Sequence, residues 1–93
     1  MAIKLTQLQC KEVICVGSGQ RLGFIEDIQV ELPEGKVVAL IVPGPANLLG
    51  LGGSRHDYCI PWHCIQKIGP DIVLVDINPE DCRVTRPKQN FKL

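Results

Sequence analysis

The chain has 93 residues, 45% of them hydrophobic, and ten basic side chains balance ten acidic ones. That length holds a single domain with a thin stability margin, and the charge balance leaves no net field to draw in nucleic acid or an anionic membrane. No apolar run approaches the roughly 18 residues that span a bilayer, and Met1 to Gln7 lacks a signal-peptide core, so a cytoplasmic protein with reduced thiols is expected. The five cysteines, Cys10, Cys15, Cys59, Cys64 and Cys82, form an odd set that suits free thiols better than a disulfide framework.

In chain order, Leu5 to Leu8 fits one short helical turn that Thr6 could cap. Glu12 to Val16 reads as a first strand, and Gly17-Ser18-Gly19 as a tight turn. The segment Gly19 to Val30, the turn Pro33-Glu34-Gly35 and the apolar run Lys36 to Val42 then predict a β-hairpin. Its first strand places Leu22, Phe24, Ile28 and Val30 on one face at period two, with Glu26 breaking the pattern and Asp27 and Gln29 opposite. Ile25 does not fit that alternation, which points to a bulge near Gly23. Both faces of Val37 to Val42 are apolar, as expected of a strand covered on two sides or lying against a partner subunit.

Pro43-Gly44-Pro45 ends that strand and opens a glycine-rich loop to His56 with Leu48-Leu49-Gly50-Leu51 at its centre. Asp57 to Pro61 predicts another strand, His63 to Ile68 a short continuation, and Ile72 to Ile77 a last strand after the turn Gly69-Pro70-Asp71. Residues 1–78 therefore read as the domain and residues 79–93, with Arg83, Arg86, Lys88 and Lys92, as a flexible or loosely docked tail. About five to six short antiparallel strands with no helix-length amphipathic segment point to an all-β fold, and closure into a small, highly curved β-barrel best removes the sheet edges.

Three stretches carry a resemblance. They are Gly19-x-x-Leu22-Gly23-x-Ile25-x-Asp27-Ile28, then Gly35-Lys36-Val37 with Leu40-Ile41-Val42, and Ile60-Pro61-Trp62-x-x-Ile65-x-Lys67-Ile68-Gly69-x-Asp71-Ile72-Val73-Leu74-Val75. Together, from about Leu5 to Ile77, they resemble the PRC-barrel domain, found in the photosynthetic reaction centre H subunit and at the carboxyl end of a ribosome maturation factor. The last stretch is similar to the stand-alone, sporulation-associated branch of that family. The resemblance implies a PRC-type β-barrel without catalytic residues or cofactor, an adaptor or assembly module. The chain departs from the family pattern at Cys59, His63 and Cys64, where a plain strand residue, an acidic residue and a polar residue are expected.

Those three side chains are also the candidates for a metal, since soft sulfur and imidazole ligands suit zinc and Cys10, Cys15 and His56 could converge on them. The spacing crosses Pro61 and lacks a paired Cys-x-x-Cys knuckle, so packed thiols are the preferred reading and no metal or cofactor is expected. Gly50-x-Gly52-Gly53-Ser54 has neither the lysine nor the helix of a phosphate loop, and Ser18 and Ser54 lack a strand-to-helix elbow. His56 beside Asp57 reads as a solvated pair. Trp62 is either a partner anchor or, preferably, a plug closing one end of the barrel.

The expected activity is therefore non-catalytic, through homodimerisation and an unknown protein partner, with no small-molecule substrate. Val38, Leu40, Leu48, Leu49, Leu51 and Trp62 are the candidate interface. An RNA-linked adaptor using the basic tail and a zinc or thiol sensor remain as alternatives.

Overall fold

A computed structural model describes residues 2–45 and 56–85. A short helix α1 (Leu5–Gln9) precedes eight strands: β1 (Glu12–Cys15), β2 (Arg21–Phe24), β3 (Asp27–Glu31), β4 (Lys36–Pro43), β5 (His56–Pro61), β6 (Ile65–Ile68), β7 (Ile72–Val75) and β8 (Arg83–Thr85). Two short 3-10 turns, Trp62–Cys64 and Pro79–Cys82, lead into β6 and β8. The strands form two four-stranded sheets, ordered β2-β1-β7-β6 and β3-β4-β5-β8. Among the described residues no ladder joins one sheet to the other.

Both sheets turn alternate side chains toward one core. Val13, Cys15, Leu22, Val73 and Val75 come from the first sheet, Leu40, Val42, Tyr58 and Ile60 from the second, and Leu8 of α1 and Ile25 of the β2-β3 corner complete it. The alternation of β1 and β7 is the period-two pattern of a strand with one face inward. The helix is capped differently from expectation. The Lys4 amide donates to Gln7 Oε1 at 2.7 Å, so capping occurs ahead of Thr6.

The expected first strand of the hairpin is divided. Arg21 pairs with Ile14 and Gly23 with Val13, so Leu22 is the extra residue of a bulge, and Gly23 has φ 111°, a backbone setting that glycine adopts without strain. The chain bends there, Ile25 drops into the core, and β3 begins in the other sheet. Phe24, expected on the inner face, is consequently 54% exposed. The Glu26 amide donates to the Ile41 carbonyl at 2.8 Å, and Gln9 Nε2 donates to the Glu26 carbonyl at 3.1 Å, fixing the corner from both sides.

Two other differences concern pairing. β1 and β7 run parallel, Glu12 to Cys15 against Ile72 to Val75, whereas the remaining ladders are antiparallel. The chain builds the second sheet between these two strands, so no tight turn forces them to oppose. Pro79 to Thr85, expected in the tail, folds back as a turn and β8, with Asp57 opposite Val84 and Tyr58 opposite Arg83. Residues 86–93 lie outside the described residues, with Arg86, Lys88 and Lys92 among them.

Candidate interaction surface

β4 carries the side chains that matter most for contact. Its ladder to β3 pairs Gln29 with Ala39 and Val30 with Val37, leaving Val38 as an extra residue. That irregularity turns the start of β4 outward while Leu40 and Val42, further along, stay fully buried. Pro61 cannot donate to a ladder, and directly after it the chain tightens into Trp62–Cys64. Trp62 and His63 meet Lys36, Val37 and Val38 around a shallow groove of about 220 Å³. Its lining is mostly apolar, with Lys36 as its cationic member.

Trp62 is 37% exposed and lines this groove, so it does not plug the barrel. Val30, opposite Val37, is also exposed, as is Leu32 in the adjoining turn at 77%. Val30, Leu32, Val37, Val38 and Trp62 thus supply apolar surface at one end of the second sheet. Leu40 does not belong to it: its side chain is fully buried between the sheets and offers nothing to a partner. Leu48, Leu49 and Leu51 lie outside the described residues.

The expected metal candidates have different surroundings. His63 lines the groove, while the Cys59 thiol donates to Gln29 Oε1 at 3.7 Å. Among the described residues no three histidine, cysteine or acidic side chains are grouped to hold a metal ion. Cys10 is exposed, Cys15 buried, and Cys59, Cys64 and Cys82 are intermediate. Burial pushes the Cys15 thiol above its ordinary value. Burial also raises Cys82, with smaller contributions from Cys64, Asp81, Cys59 and Cys15 nearby.

Cys82 escaped sequence reasoning because its neighbours are set by β8, whose polar residues resemble a tail. Asp57 differs from expectation too, being 7% exposed between Pro43 of β4 and Val84 of β8, and so not part of a solvated pair. Of the basic groups expected in the tail, Arg83 pairs with the Glu80 carboxylate at 3.1 Å.

A family model for the PRC-barrel domain matches residues 1–81, a span that includes strands β1 to β7 of the two sheets. This chain belongs to the PRC-barrel domain family. The PRC-barrel match reaches Asp81, so it takes in most of the turn that precedes β8 and stops short of Cys82. Among curated proteins, the chain is 38% identical over 76 residues to the "Probable sporulation protein YlmC" of Bacillus subtilis, covering 82% of this chain and 94% of that protein. It is 35% identical over 81 residues to the "Uncharacterized protein YmxH" of the same organism, covering 85% and 93% respectively. A Clostridium acetobutylicum protein is 36% identical over 72 residues, covering 77% of this chain and 82% of its own length. Both sheets of the PRC-barrel are built from short strands, and among the described residues no helix is long and apolar enough to cross a membrane.

Proposed function

We propose that this PRC-barrel protein is a non-catalytic, sporulation-associated assembly module of the cytoplasm that pairs with a second copy of itself and presents the pair to a protein partner. The observation that carries the reading is the apolar groove of Val37, Val38 and Trp62, continued by exposed Val30 and Leu32. Aromatic side chains in partly formed pockets are the usual anchors of protein contacts. The relation to a sporulation-labelled protein of Bacillus subtilis supplies the biological setting.

A second copy suits the groove by charge. Glu31 and Lys36 are opposite each other across the β3-β4 hairpin at its edge. In a two-fold pair each copy would bring both charges to the contact, which is the self-complementarity an isologous interface requires. Covering the apolar side chains supplies the driving force and the charges fix the register.

Sedimentation of the full chain over a range of concentrations tests the reading. A concentration-dependent dimer is expected, and Val37→Asp should make it monomeric while the far-ultraviolet dichroism stays that of the parent. A monomer at the highest concentrations, or a Val37→Asp variant that still dimerises, would sink the proposal.

A further inference from the structure

The turn Pro79–Cys82 carries a thiol to a place where two others already lie. The β5-β8 ladder pairs Tyr58 with Arg83, so Cys82, just before Arg83, falls next to Cys59 along the direction of the ladder. From the other side, the Asp76 amide donates to the Cys64 carbonyl at 2.9 Å, which holds the end of the Trp62–Cys64 turn against the chain leaving β7. Two residues later Asn78 caps the turn that ends in Cys82, its Oδ1 accepting from the Glu80 amide at 3.2 Å. Cys64 and Cys82 therefore end two short turns anchored to the same stretch of chain.

Cys59 is the less suitable neighbour, because its thiol leans across the sheet to Gln29 on β3. Cys64 has the larger electrostatic effect on Cys82 of the two. We propose that Cys64 and Cys82 form a dithiol that closes reversibly to a disulfide and fastens the turn before β8 to the body of the barrel.

The co-reactant is a low-molecular-weight disulfide. A protein thiolate attacks one of its sulfurs, expelling one small thiol and leaving a mixed disulfide, and the second protein thiolate then displaces the other small thiol. Two S–H bonds are lost from the protein, one S–S bond forms, and the small disulfide is reduced to two thiols. Because attack requires thiolate and burial disfavours it at Cys82, closure is slow near neutrality and quickens with pH. The same disfavoured thiolate makes the closed disulfide harder to reduce.

The reduced full chain, incubated with oxidised glutathione at about pH 7 and about pH 9 on either side of ordinary thiol titration, then acid-quenched and alkylated, provides the test. Two of the five thiols should become unreactive, and a non-reducing peptide map should recover Cys64 joined to Cys82. The rate should rise by up to roughly tenfold per pH unit. Cys82→Ser should abolish the link and Cys10→Ser should leave it intact. The map of the unaltered chain decides even if Cys82→Ser fails to fold. A link from Cys82 to Cys59, links through Cys10 alone, or five free thiols after prolonged oxidation would overturn the proposal.

Discussion

Lys11 illustrates how a single surface side chain can hold a small barrel together. Its Nζ donates to the carbonyls of Gly69 and Pro70 at 2.6 and 2.8 Å, tying the β6-β7 turn to the start of β1, where the Glu12 amide donates to the Asp71 carbonyl at 3.0 Å. Hydrogen bonds from a charged donor are worth more than neutral ones, although partial exposure reduces the gain. Lys11→Met should therefore cost about 1 kcal/mol, read as a lower urea midpoint with an unchanged slope. Gly44 is more demanding. Its amide donates to the His56 carbonyl at 2.9 Å, and an added Cβ would lie 2.5 Å from that same oxygen, where the neighbour is backbone and cannot swing aside. Gly44→Ala should cost about 1 to 3 kcal/mol, as overpacking does, and urea unfolding would show it. Neither role is legible in the sequence, where Lys11 is one cation among ten and Gly44 is one loop residue between two prolines.

The legible elements were those whose pattern is local. The apolar, strand-favouring runs of β1 and β7, the turn at Gly35 and the stop at Pro43 each announce themselves within a few residues. The β2-β3 corner shows where such reading fails: Leu22, Phe24, Ile28 and Val30 share a parity, but the Leu22 bulge and Gly23 send the two halves to different sheets. The misfit of Ile25, with Glu26 breaking the alternation, is the local trace of that break. β8 fails for another reason, since an edge strand of three exposed residues has almost no apolar signature and exists only because β5 offers it a ladder. It nonetheless covers Asp57 and Tyr58. A chain ending at Asn78 should accordingly melt below one ending at Thr85, by roughly 4 to 8 °C for each kcal/mol lost in a domain of this size; equal melting temperatures would mean that β8 contributes nothing.

Across the whole molecule the core belongs to neither sheet alone, so a side chain at its centre supports both. Leu40 is fully buried beside Ile60 and opposite half-buried Ile28, and Leu40→Ala should cost about 2 to 5 kcal/mol. That is a large share of the 5 to 15 kcal/mol typical of a whole domain. The same shared core sets the response to alkali. Cys15 faces its centre and Cys82 lies at its margin, and both thiols are raised above their ordinary 9.0, chiefly by burial. An acid whose pKa is raised on folding binds its proton more tightly in the native state, so between the unfolded and folded values the native chain carries more protons. Stability then falls with rising pH, because the unfolded chain gains by releasing a proton that the folded chain retains. The contribution is intact below about pH 9 and declines as pH climbs through 9.0 toward the folded values. Urea unfolding of the reduced protein should therefore show a midpoint that drops in that window, with a shallower drop in Cys82→Ser. An equal drop in that variant and the parent would assign the alkaline loss to groups other than Cys82.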